Sequence, residues 1–124
     1  MPVLQVEMVD GPAEAPAGLA QALADAAGRV LDAPPGHTWV RLRRLPASGY
    51  AENGPAAAGT PAPAAPVFVE VLQRAPPAGA ALEAEVKALT AALAAVLARP
   101  ADQVHVLYAP AAAGRQAFGG VLVR

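Results

Sequence analysis

Apolar and polar positions alternate first between Val3 and Met8, where Gln5 and Glu7 interrupt Val, Leu, Val and Met, and Gly11-Pro12 ends the run. This pattern predicts a β-strand. From Pro16 to Leu31 the larger apolar residues Leu19, Leu23, Val30 and Leu31 recur at helical spacing, with Gln21, Asp25 and Arg29 on the other side. A helix is predicted there, stopped by Pro34-Pro35-Gly36. Alternation returns over Thr38 to Leu45, with Val40 and Leu42 set against Trp39, Arg41 and Arg43, as in a half-buried strand. Val67 to Gln73 is a β-branched run. Leu82, Val86, Leu89, Leu93, Val96 and Leu97 mark a second helix, and Val104 to Tyr108 a last main strand. Glu83 and Glu85 are read into that helix's first turn and Arg99 near its end, where they suit the macrodipole.

The order strand, helix, strand thus occurs twice, over about 1–46 and 66–110, joined by a Pro/Ala/Gly-rich loop at 47–65. A shift of about 64 residues lays Pro2-Val3-Leu4 on Pro66-Val67-Phe68, and Val30 to Pro34 resembles Val96 to Pro100. Matching Glu7 to Glu70 needs a shift one residue different, and a one-residue slip exchanges the faces of a strand. The inward and outward residues of the third strand therefore stay open. A helix between two strands of one sheet makes those strands parallel. The expected fold is α+β, one domain over 1–124, with two βαβ units sharing a four-stranded mixed sheet and both helices on one face. The opposite sheet face needs cover, and neighbouring subunits are the natural source.

Composition narrows the partners. Net charge is −1 with 15% charged residues, so no global field exists to hold nucleic acid. Roughly a quarter of the positions are alanine, which adds little apolar area to a core and makes oligomerisation useful. No apolar run reaches the ~18 residues of a membrane span and no signal-peptide pattern opens the chain, so a cytoplasmic location is expected. The chain has no cysteine, which removes disulfides and thiolate chemistry. His37 and His105 stand far apart with no carboxylate at ligand spacing, so neither a metal nor another cofactor is expected.

Met1-Pro2, the duplicated βαβ order and Arg29-Val30-Leu31-Asp32-Ala33-Pro34 together resemble the tautomerase superfamily, in its 4-oxalocrotonate tautomerase and 5-carboxymethyl-2-hydroxymuconate isomerase branches. Ser48-Gly49-Tyr50 and Gly114 to Gly120, with Phe118, look like the family's Gly-rich hairpins. The resemblance implies a homotrimer and active sites around an N-terminal proline, acting on small keto or enol acids. Removal of Met1 turns the Pro2 nitrogen into a secondary amine, which titrates near ~8 and falls with burial or cationic neighbours. Such a base can take a proton from a carbon beside a carbonyl and return it elsewhere. The plain alternative is a proline that starts an edge strand.

Carboxylate substrates call for guanidinium groups. Arg74 is the first candidate, then Arg41 and Arg43, though all three also suit a solvated or intersubunit face. An ungapped comparison puts Trp39 where the family carries a substrate-binding arginine, and His105 takes that place in the second half; the turn after the first strand holds Gly11 and Pro12 instead of another arginine. Tyr50 could polarise a carbonyl, with Asn53 assisting and Trp39 as a pocket wall. Trp39 and Phe68 suit core or interface equally well, and His105 suits a satisfied strand histidine. Two functions remain: a Pro2-based tautomerase or isomerase, with hydration or decarboxylation as related reactions, and a non-catalytic trimer that binds small acids or serves assembly.

Overall fold

The structure, a computed structural model, describes residues 2–54 and 65–124. Its order is β1 (Val3–Val9), α1 (Leu19–Val30), β2 (Trp39–Leu45), β3 (Val67–Leu72), α2 (Gly79–Leu97) and β4 (Val104–Tyr108), then a short hairpin of β5 (Ala117–Phe118) and β6 (Val121–Leu122). The four long strands lie in the order β2-β1-β3-β4. β1 is parallel to β2 and β3 to β4, while β1 and β3 pair antiparallel at the centre with Val6 opposite Val69. The expected α+β fold, a mixed four-stranded sheet with two helices on one face, is the observed one.

Alternation decides which sheet face meets the helices. Leu4, Val6 and Met8 of β1 and Val67, Val69 and Val71 of β3 form one buried cluster with Leu23 and Ala27 of α1 and Leu89, Leu93 and Leu97 of α2. The β3 faces are thereby fixed, with Phe68 and Glu70 on the other side. Glu7 and Glu70 then share a face, so the strands of the two halves match at the spacing of the glutamates and not of the prolines. The open face carries Arg41, Gln5, Glu70 and Leu107 in one cross-strand row and Arg43, Glu7, Phe68 and His105 in the next. Leu107 is 53% exposed and Trp39 45%.

Both helices end in the same turn. Asp32 (φ 51°) and Ala98 (φ 52°) take the left-handed conformation, and the next residues reach back, Ala33 N–H to Gly28 O at 2.9 Å and Arg99 N–H to Ala94 O at 3.1 Å. These are Schellman closures followed by a proline. The second helix starts at Gly79, earlier than its leucine stripe suggests, which puts Glu83 and Glu85 beyond its first turn. Arg99 does not complement the helix end either. It is 8% exposed and donates to Ala65 O at 2.7 Å and Val9 O at 3.3 Å, tying the end of β1 to the start of β3. Burial lowers its pKa, partly offset by Asp10.

Of the two Gly-rich segments, 117–122 is a hairpin turning at Gly119 (φ 58°) and Gly120 (φ 82°), the conformation of a two-residue primed turn. The segment at Tyr50 is a single 3-10 turn, Ala47–Gly49, with no strand among described residues 46–54. Positions 55–64 of the proposed linker lie outside the described residues.

Because Leu89 is fully buried between the helices and the sheet, Leu89→Ala should cost about 2–5 kcal/mol in chemical denaturation. A loss under about 0.5 kcal/mol would mean that this stripe does not form the core.

Candidate functional site

Pro2 is buried just before β1, and its carbonyl accepts from Trp39 N–H at 3.0 Å. It forms one wall of a cleft of about 250 Å³. Opposite walls come from the two chain turns that reach the same end of the sheet: Asp32 and Pro34 from the Schellman closure of α1, and Gln73 and Arg74 from the exit of β3. The antiparallel β1–β3 pairing causes this meeting. Since Val3 stands opposite Leu72, whatever precedes Val3 must lie beside whatever follows Leu72.

Arg74 is exposed, and its Nε donates to the backbone oxygen of Arg124. The guanidinium is thus held at the cleft by the chain segment that follows β6. Gln73 was not singled out in the sequence. Its Nε2 donates to Glu85 Oε1 at 3.4 Å, and Glu85 Oε2 accepts from the Tyr108 hydroxyl at 2.7 Å. Burial first, then this hydrogen bond, pushes the Tyr108 phenol well above its usual range. Glutamine, glutamate and tyrosine come from β3's exit, α2 and β4. No local spacing announces such a group.

The remaining candidates stand elsewhere within one chain. Tyr50 packs on Phe68 at 5.9 Å between centroids, and its hydroxyl donates to Glu52 at 2.7 Å, which raises its pKa. The tyrosine therefore has a packing partner that the sequence did not disclose. Phe68 registers opposite Glu7, four residues along β1 from Val3, so Tyr50 is about 13 Å along the strand from the cleft. Arg43 pairs with Glu7 at 3.7 Å, and Arg41 stands exposed on the same open face. Arg44 donates to Gly11 O and lies 4.0 Å from Asp10. Asn53 is exposed beyond the Tyr50 turn. Trp39 borders Pro2 through its backbone, while its indole donates to Gly36 O at 3.1 Å and meets Phe118 edge to face at 5.3 Å. His105 lies against Phe68 at 5.5 Å. Of the seven named candidates, the structure brings Pro2 and Arg74 together, with Trp39 beside them.

A second, larger depression of about 790 Å³ runs between α1 and the start of β2, lined by Ala24, Asp25, Gly28, Arg29 and Thr38 among others. Among the described residues no group of three or more metal-ligating side chains is gathered, and no helix is long and apolar enough to cross a membrane.

No family sequence model matches the chain. No curated protein sequence matches it either. Solved structures do. A native fused 4-OT is 25% identical, with a TM-score of 0.77 over 98% of this chain and 95% of that one. A macrophage migration inhibitory factor from Oncomelania hupensis is 20% identical, with a TM-score of 0.72 over 99% and 82%. Malonate semialdehyde decarboxylase is 20% identical, with a TM-score of 0.66 over 94% and 90%. All three share the duplicated βαβ fold described above, and by that fold the chain belongs to the tautomerase superfamily.

Proposed function

We propose that this chain is a tautomerase or isomerase in which the Pro2 amine, freed by removal of Met1, is the general base for a small enolisable carboxylic acid. The observation that carries this reading is the cleft itself, where a buried proline and an arginine from the other half of the chain face one small volume. Acting on an enol acid, the neutral amine takes the hydroxyl proton and, as ammonium, delivers it to the adjacent carbon. The keto acid leaves and the amine is regenerated. Arg74 holds the substrate carboxylate, and its charge together with burial favours the neutral amine.

A homotrimer belongs to the same proposal. The open face bears Trp39 and Leu107 half exposed, and fused 4-OT neighbours 23–24% identical are trimers. Tyr50, Arg41, Arg43 and Asn53 lie on or beside that face, so they would act on the cleft of a neighbouring copy rather than their own. The decarboxylase neighbour is described with decarboxylase and hydratase activities, and decarboxylation or hydration of a related acid is the nearest second reading for the same proline and arginine.

The mature protein should convert the enol form of an aryl or alkyl pyruvate to its keto form, with the rate rising with pH through one ionisation at or below about 8. Protonation removes the base, so acid must inactivate. Pro2→Ala keeps a primary amine and should retain a weakened reaction, whereas acetylation of the Pro2 nitrogen should abolish it. Full activity in the acetylated protein would refute the mechanism. Arg74 is exposed, which tempers a charged hydrogen bond, so Arg74→Ala should weaken keto-acid binding by about tenfold, or ~1.4 kcal/mol. Unaltered affinity would return Arg74 to the surface.

A further inference from the structure

Gln73 presents an unusual feature among the described residues: its Oε1 is buried and has no hydrogen-bond partner. An orphaned buried acceptor costs about 1–3 kcal/mol, so a partner is expected at some stage of the protein's working cycle. Which way the oxygen faces follows from its neighbours. Glu85 offers only acceptors, so the amide must turn its Nε2 toward α2. Glu85 also accepts from Tyr108 of β4, which places the carboxylate on the β4 side of Gln73. The opposite end of the amide then looks toward β1.

What stands on the β1 side is Pro2. One step beyond the Val3 and Leu72 pair, Pro2 and Gln73 are directly opposed across the two central strands. Their backbone carbonyls are both engaged outward, Pro2 O by Trp39 N–H of β2 and Gln73 O by Ala112 N–H beyond β4. This is the non-hydrogen-bonded type of antiparallel pair, whose Cα atoms approach to about 4.5 Å and whose side chains are closest. Alternation from Leu4 and Val71 puts both on the helix-facing side, and both line the same cleft.

We propose that Gln73 is a positioning residue for the Pro2 amine: its buried Oε1 accepts from the ammonium that forms when Pro2 takes a proton, with Glu85 and Tyr108 holding the amide in that orientation. This rests on the reading of Pro2 as the base. The amide dipole, oxygen toward Pro2 and N–H toward the Glu85 carboxylate, lies in the sense that stabilises positive charge at Pro2. The other charged groups at the cleft are Asp32 beyond α1, which also favours the ammonium, and Arg74 beyond β3, which opposes it. Gln73 thus offsets Arg74: one group keeps the resting amine neutral, and the other accepts the proton's charge once transferred.

The test is the ionisation midpoint of the Pro2 nitrogen, followed by NMR in 15N-proline-labelled mature protein. Hydrogen bonding to the charged form raises the midpoint, so Gln73→Leu should lower it by about one pH unit. Glu85→Gln keeps one acceptor oxygen for the Gln73 Nε2 and turns an N–H to the Tyr108 hydroxyl, which can accept it, while removing the charge; it should move the midpoint in the same direction by a smaller amount. It keeps the proposal testable should Gln73→Leu fold poorly. A purely structural glutamine would change the melting temperature without moving the midpoint. Midpoints unchanged or raised in folded variants overturn the role of Gln73 and leave the base intact. A Pro2 nitrogen that does not titrate in the unsubstituted protein overturns both.

Discussion

The antiparallel pairing of β1 with β3 is the constraint on which the rest depends. Each βαβ half is a two-stranded parallel ribbon that alone would expose an edge on both of its strands; joining them back to back pairs the two inner edges. The Val6 and Val69 pairing sits at the centre of that joint, and burial of the flanking Leu4, Met8, Val67 and Val71 against two helices fixes its register. A slip of one residue would send these side chains to the open face. The same register sets Pro2 beside Gln73 and Arg74. Core packing and the candidate site are consequences of one alignment.

The two halves are alike in backbone and unlike in what they hold. Asp32 and Ala98 close their helices with the same left-handed turn, yet the turns lead to different places. After α1 the chain leaves a cleft with Pro2 in its wall. By the register of the glutamates, the counterpart of Pro2 is Ala65, whose carbonyl accepts from Arg99. An arginine therefore fills, in the second half, the region that is open in the first. Ala65 is also internal to the chain, so its nitrogen is an amide and no base. Among the described residues, the divergence of the two halves leaves the Pro2 cleft without a counterpart at Ala65.

The sequence disclosed much of the fold because alternation and leucine spacing report burial directly. Four strands and two helices were legible to within a few residues, with the start of α2 hidden by Gly79-Ala80-Ala81, too small to mark a stripe. The faces of β3 were not legible, since Val67, Phe68, Val69, Val71 and Leu72 are all apolar and only packing against Leu89 and Leu93 distinguishes them. Pro2 and Arg74 could be named because their chemistry is particular to their type and position. Gln73 could not, because its meaning lies in Glu85 and Tyr108, 12 and 35 residues away. The contacts of Tyr50 were hidden for a related reason, since its ring packs on Phe68 from the other half of the chain while its hydroxyl donates to Glu52.

The proposed function requires a free, nucleophilic amine at Pro2 in a cleft that takes an acid. The chain contains a single lysine, Lys87, so an amine-directed label has few places to go. Treatment of the mature protein with an alkynyl 2-oxo acid, followed by intact mass and peptide mapping, reads this directly. The account predicts one adduct per chain on the Pro2 nitrogen, formed more slowly as the pH is lowered, with Lys87 unmodified. An adduct confined to Lys87, or no adduct at Pro2 on a protein whose Met1 has been removed, would contradict it.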